Sequence, residues 1–167
     1  AAPGAYDAVL VDSTDPIGPG KVLFEAPFFR SLQRALTPQG VLAAQSLSPW
    51  VQATEQREMF AELGSVWSHV LAYHATVPTY PGGLWTFAFA SNQGVDLTAF
   101  ARERSLRLAE GCRYYTPELQ VAAFHLPRFV LDNTVAVAQA ARDRADGEPP
   151  GAPRSATRSE TPPSRSP

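Results

Sequence analysis

The chain has 167 residues, 44% of them hydrophobic, and a formal net charge of −2. That fits one domain with a real core and argues against a nucleic-acid footprint or an anionic membrane surface as partner. Its single cysteine, Cys112, permits no disulfide within the chain and fits a reducing, cytoplasmic compartment. The longest apolar runs fall far short of the ~20 residues a membrane helix needs.

Tyr6 to Val11 is a nearly continuous apolar run, which predicts a strand covered on both faces. It ends in Asp12-Ser13-Thr14-Asp15-Pro16-Ile17-Gly18-Pro19, two carboxylates three residues apart and then a turn rich in proline and glycine. A strand that ends this way delivers acidic side chains to the rim of an open α/β sheet, where ligands bind. Two carboxylates there suit a cationic substrate, or a proton that must be removed; taken alone, the same pattern also serves as a helix cap or Asx turn. Phe24 to Leu36 reads as an amphipathic helix with Phe24, Phe28, Leu32 and Leu36 as its core stripe, closed by Pro38 and Gly40. Gly40 to Gln45 is a second buried strand, Thr54 to about Leu63 a helix, and His69 to Val77 a β-rich segment. Pro81-Gly82-Gly83 forms a tight connection into a strand from Leu84 to Ala90. Arg102 to Gly111 is a short helix; Pro117 to Phe124 and Pro127 to Ala141 are two more, each with proline in its first turn. From Asp143 onward Pro, Arg, Ser, Gly and Glu dominate, and six of the sixteen prolines lie between Pro149 and Pro167. Residues 1–141 are therefore read as the folded part and 142–167 as a disordered tail.

The β-α-β-α-β-β order predicts a parallel sheet ending in an antiparallel pair, as in the second half of a doubly wound α/β fold. No Gly-x-Gly-x-x-Gly turn follows a strand, so the nucleotide-cradling first half is not seen. His69, His74 and His125 show no metal-ligand spacing and are read as structural or solvated; no metal is expected. Cys112 is read as a small buried hydrophobe.

The run from Tyr6 to Pro19 resembles the central signature of spermidine synthases, the polyamine aminopropyltransferases. The resemblance continues through Leu23-Phe24, Phe28-Phe29, Ala35-Leu36, Pro38, Gly40-Val41 and Gln45. It resumes at Val77-Pro78-Thr79-Tyr80-Pro81-Gly82-Gly83 and Thr86-Phe87-Ala88-Phe89-Ala90-Ser91. A third block comprises Tyr114-Tyr115, Ala122-Ala123-Phe124 and Leu126-Pro127-Arg128-Phe129. The resemblance covers roughly Tyr6 to Val130 and implies a methyltransferase-like (Rossmann-like) α/β fold. It also implies transfer of an aminopropyl group from decarboxylated S-adenosylmethionine, as co-substrate, to a small-molecule diamine, usually putrescine. The products are spermidine and 5′-methylthioadenosine, and neither a metal nor another cofactor is needed.

On that resemblance Asp12 matches the proton acceptor or anchor of the attacking nitrogen, and Asp15 the recognition of the acceptor amine. Ser13 and Thr14 lie beside the same ligand. Tyr80 matches the tyrosine of the Pro-Thr-Tyr motif, Gln45 a polar residue near the diamine pocket, and Pro19 a position on the adenine side of the donor site. Trp50 and Trp85 are candidates for walls around the diamine methylenes. The family's glycine-rich donor loop, two donor-binding acids and a further tyrosine precede the first strand seen here. The resemblance therefore implies the C-terminal half of a catalytic domain, with weak donor binding and little turnover by these residues alone, and a homodimer or homotetramer at full length. Gln120-Val121 stands where the family has His-Arg, and Ser46-Leu47-Ser48-Pro49 replaces a more acidic stretch on the acceptor side, so agmatine, cadaverine or a longer polyamine stay open as acceptors. Two further readings stay open: a class I methyltransferase-like enzyme of the same topology, or an inactive truncated domain kept as a binding or assembly piece. The paired aspartates and the Pro-Thr-Tyr-Pro-Gly-Gly turn count against the methyltransferase.

Overall fold

The apolar run Tyr6–Val11 is a strand, β1, and the chain returns beside it through a helical crossover to a second, parallel strand. The structure, a computed structural model, describes residues 2–80, 82–95 and 102–147. After β1, a 3₁₀ segment (Gly18–Phe24) leads into α1 (Ala26–Ala35), β2 (Leu36–Gln45), α2 (Ala53–Gly64), β3 (His69–Thr76) and β4 (Leu84–Ser91). The remaining helices are α3 (Arg102–Glu110), α4 (Pro117–Ala122), α5 (Arg128–Asn133) and α6 (Val135–Ala145). The sheet order is β1-β2-β4-β3. β1 and β2 are parallel, with Val9 opposite Leu42 and Val11 opposite Ala44. β4 is antiparallel to both of its neighbours. This is the expected α/β class, a parallel pair closed by an antiparallel one.

One face of the sheet carries the core. Leu42, Ala44, Ala88 and Ala90 meet Phe29 of α1, Phe60 and Leu63 of α2, and Trp67, all 2% exposed or less. α2 and α6 approach so closely that a Cβ at Gly64 would stand 2.1 Å from the Ala138 carbonyl oxygen, so only glycine fits there.

Four expectations are corrected. β1 is not covered on both faces: Val9 and Val11 pack towards the core, but Leu10 is 80% exposed, because β1 is the outer strand and no described residue lies over its second face. The first long helix begins at Ala26 rather than Phe24, since Pro27 sits at its first turn and the preceding residues are wound as 3₁₀; this turns Phe29 into the fully buried anchor. The helix expected from Pro127 to Ala141 is two helices, broken at Thr134, whose φ of −123° and ψ of −89° are not helical. α6 then runs to Ala145, four residues past the expected boundary, and Arg142 on it donates to the Ser68 carbonyl. The remainder of the expected tail, 148–167, lies outside the described residues, as does Pro81.

Candidate active site

Parallel strands put their carboxyl ends on one edge of the sheet, and the antiparallel hairpin brings its turn to that same edge. Hence the loop after β1 (Asp12 to Asp15), the end of β2 (Gln45), the hairpin turn (Tyr80) and the first residues of β4 (Trp85) meet there. They line two adjoining clefts. The inner, of about 380 Å³, is bounded by Asp12, Gln45, Tyr80 and Trp85 with Tyr73 and Phe87. The outer, of about 590 Å³, is bounded by Ser13, Thr14, Asp15, Gln45, Tyr80 and Trp85, and also by Ser48 and Gln52. Gln45, Tyr80 and Trp85 line both, Asp12 the inner and Asp15 the outer.

Asp12 and Asp15 are exposed, and among the described residues no cationic side chain lies within ion-pair distance of either. Their charge is left for a cation in the clefts. Tyr80 is stacked on Trp85, ring centroids 4.1 Å apart at 25°, which gives the site an aromatic wall. The hairpin turn is fixed by Tyr80 N–H donating to Val77 O at 3.1 Å and Gly83 N–H to Tyr80 O at 3.1 Å. Gly82, at φ +83°, is left-handed there, and a Cβ on it would lie 2.9 Å from Trp50 Cδ1.

Gln45 acts as a brace between two loops. Its Nε2 donates to the Ser13 carbonyl at 3.2 Å and its Oε1 accepts from Leu47 N–H at 3.1 Å. Leu47 is fully buried with φ +73°, a conformation a leucine holds only when its surroundings impose it. A buried polar cluster does so. Thr86 Oγ1 donates to the Leu47 carbonyl at 2.7 Å and accepts from Gln56 Nε2 at 2.6 Å, while Ser46 N–H donates to Thr86 O at 2.9 Å. A chain of hydrogen bonds thus runs from α2 through β4 to the loop that holds the carboxylates.

Sequence reasoning did not single out Tyr73, Phe87, Ser48 or Gln52. Tyr73 and Phe87 are cross-strand partners, stacked at 5.2 Å and 18°, and Tyr73 also meets Phe124 at 5.3 Å. The period-two alternation that sets Trp85 and Phe87 on one face was the available signal; Ser48 lies in the Ser46-Leu47-Ser48-Pro49 stretch that the resemblance set on the acceptor side, and Gln52 has no such signal. Burial raises the Tyr73 phenol above its usual range, so it is neutral at physiological pH. Of the other candidates, Pro19 is exposed on the 3₁₀ segment and lines neither cleft. Trp50 is not a wall of either: it packs on Phe129, 4.8 Å away, and against Gly82. Cys112 is exposed, not buried, because it follows the end of the solvent-facing α3. Among the described residues no three His, Cys, Asp or Glu side chains group as a metal site, and no helix is long and apolar enough to cross a membrane.

The profile of the Spermine/spermidine synthase domain matches residues 1–99, which include every cleft residue named above. The chain belongs to the spermine/spermidine synthase family. Among its relatives, a polyamine aminopropyltransferase of Leptospira biflexa is 40% identical over 126 residues, covering 75% of this chain and 44% of that one. Another from Moorella thermoacetica is 43% identical over 127 residues, covering 76% and 44%. A spermidine synthase solved in complex with the transition-state analogue AdoDATO superposes with a TM-score of 0.73 at 30% identity, over 79% of this chain and 45% of that one. The spermidine synthase of Thermotoga maritima gives 0.71 at 29%, over 79% and 44%. The chain therefore spans a little under half the length of the family members it matches.

Proposed function

We propose that this chain supplies the acceptor side of an aminopropyltransferase site. On this reading an aminopropyl group passes from decarboxylated S-adenosylmethionine to putrescine, giving spermidine and 5′-methylthioadenosine, with no metal or resident cofactor. The enzyme works on a small soluble diamine in the cytoplasm, as a homodimer or homotetramer when complete. The observation that carries the proposal is that Asp12 and Asp15, without an ion-pair partner among the described residues, line adjoining clefts that share Gln45, Tyr80 and Trp85.

The chemistry asks for that arrangement. A primary amine of pKa about 10 is an ammonium in water and has no lone pair to attack with. Asp12 binds this cation and takes its proton. The freed nitrogen attacks the carbon next to the sulfonium, the C–S bond breaks, and the thioether leaves neutral. Asp15 holds the amine in register, and the Tyr80 ring on Trp85 faces the cation and its methylenes. Ser13 and Thr14 present polar groups beside it, Gln45 keeps the carboxylate loop in place, and Pro19 faces the donor's adenine.

The test joins this chain to the remainder of the family domain from the Moorella thermoacetica relative and offers putrescine with either donor. Release of 5′-methylthioadenosine from decarboxylated S-adenosylmethionine supports the proposal. Methyl transfer from S-adenosylmethionine, or no transfer of either kind, refutes it.

A further inference from the structure

The sequence block Leu126-Pro127-Arg128-Phe129 lines neither cleft, and the proposed function gives it no task. It nevertheless reaches the hairpin that carries Tyr80. The paired part of that hairpin ends at Thr76 and Leu84, and the turn projects beyond it. Among the described residues the turn holds itself by three backbone bonds: Tyr80 N–H to Val77 O, Gly83 N–H to Tyr80 O, and Val77 N–H to Gly83 O at 2.9 Å. Gly82 and Gly83 both have positive φ, and glycine leaves a backbone free to move. Contacts from outside the turn therefore decide how firmly Tyr80 is placed.

Trp50 supplies such a contact. Its indole lies against Gly82, where a Cβ would stand 2.9 Å from Cδ1 and 3.3 Å from Nε1. The Trp50 backbone is anchored in its own loop: Ser48 Oγ accepts from Trp50 N–H at 3.3 Å, and Gln52 Oε1 accepts from Ser48 N–H at 3.2 Å. Phe129 packs on the same indole, ring centroids 4.8 Å apart and tilted by 37°. Phe129 sits in the first turn of α5, and α5 is fixed in the fold. Its Val130 is fully buried, and Arg57 Nη1 of α2 donates to Asp132 O at 3.3 Å and to Asn133 Oδ1 at 3.0 Å. Contacts thus run in series from α2 and α5 through Phe129 and Trp50 to Gly82, two residues from Tyr80. We propose that Phe129 and Trp50 are positioning residues of this site, which hold the hairpin turn and with it the Tyr80–Trp85 wall that the acceptor meets. The inference rests on the acceptor-side reading of the clefts. Neither ring is core, at 55% exposed for Trp50 and 36% for Phe129, so removing either disturbs the turn more than the fold.

The experiment follows the Tyr80 ring signals and the Trp85 indole signal of the isotope-labelled 167-residue chain, first alone and then with putrescine. Phe129→Ala and Trp50→Ala are each expected to shift both sets of signals in the free chain. Each is also expected to weaken putrescine by about two- to tenfold, the range that loss of one aromatic pair allows. The two substitutions together are expected to cost little more than Trp50→Ala alone, because Phe129 acts through Trp50. Phe129→Tyr keeps the ring and is expected to match the parent. Leu32→Ala, in α1 on the core side, is the control: it lowers Tm and leaves the Tyr80 and Trp85 signals and the putrescine affinity as in the parent. Unmoved signals in Phe129→Ala, unchanged putrescine affinity where the parent binds it, fully additive losses in the double variant, a tyrosine variant as impaired as the alanine one, or equal shifts in Leu32→Ala would each overturn the proposal. A parent chain that binds no putrescine refutes the reading of the clefts, and the free-chain signals then decide the positioning role by themselves.

Discussion

Thr86→Val removes one oxygen from beneath the site and leaves the shape of the side chain intact. Thr86 is fully buried, and its hydroxyl makes two short hydrogen bonds, 2.7 Å to the Leu47 carbonyl and 2.6 Å from Gln56 Nε2. Valine fills the same volume, so no cavity opens. Thr86 N–H still reaches Leu47 O at 3.3 Å, and Gln56 Nε2 still reaches Ser46 O at 3.0 Å, so neither partner is wholly orphaned. Ser46 Oγ, also fully buried, loses the acceptor it reaches at 3.2 Å. Three lost bonds at about 1 kcal/mol each give a destabilisation of about 3 kcal/mol. For a chain of this size that lowers Tm by about 6–12 °C. Urea titration followed by circular dichroism, with calorimetry beside it, measures both. Thr86→Ser keeps the hydroxyl and loses a methyl, so it should cost only about 1 kcal/mol. A valine variant within about 0.5 kcal/mol of the parent, inside the range of an inconsequential surface change, would show that the buried cluster does not hold Leu47 in its left-handed conformation.

Gly82→Ala forces a side chain onto φ +83° and against Trp50, and should destabilise the hairpin by about 1–2 kcal/mol or more, read by thermal melting; an unchanged Tm would contradict the turn described. The Tyr73 phenol is raised above 10.0 by burial, so its neutral form is favoured in the folded state: the stability it contributes is complete below pH 10 and is lost as pH rises through the raised value. Thermal melts from pH 8 to pH 11 should therefore fall more steeply for the parent than for Tyr73→Phe, with the difference appearing above pH 10. In the completed enzyme, Asp12→Asn should lower turnover by about 10²–10⁴-fold, as for loss of a general base, with 5′-methylthioadenosine affinity nearly unchanged.

Elements whose neighbours are local in sequence were legible. β1 could be bounded at Tyr6 and Val11 because its apolar run stops at a carboxylate, which also put Asp12 and Asp15 at the rim of the sheet, while Gln45 and Tyr80 joined them only through the family resemblance. What was not legible depends on partners distant in sequence. Leu10 reads as apolar core, but its burial is decided by what packs on the second face of β1. Trp50 was a candidate cleft wall, yet Phe129, far along the chain, draws it away. The break at Thr134 leaves no proline or glycine to mark it; the Thr134 hydroxyl instead bonds back to the Val130 carbonyl at 2.7 Å. The Thr86–Gln56 link joins residues thirty apart, and nothing in either segment announces it.

The central claim is that Asp12 and Asp15 form a cation site for a diamine. Its most direct test is titration of putrescine into the 167-residue chain, read from the indole signal of Trp85 and the ring signals of Tyr80. Saturable shifts at both residues, weakened by about tenfold or more in Asp12→Asn and Asp15→Asn as charge-assisted bonds are lost, are predicted. Putrescine that moves neither residue, or that binds both variants as well as the parent, would contradict it.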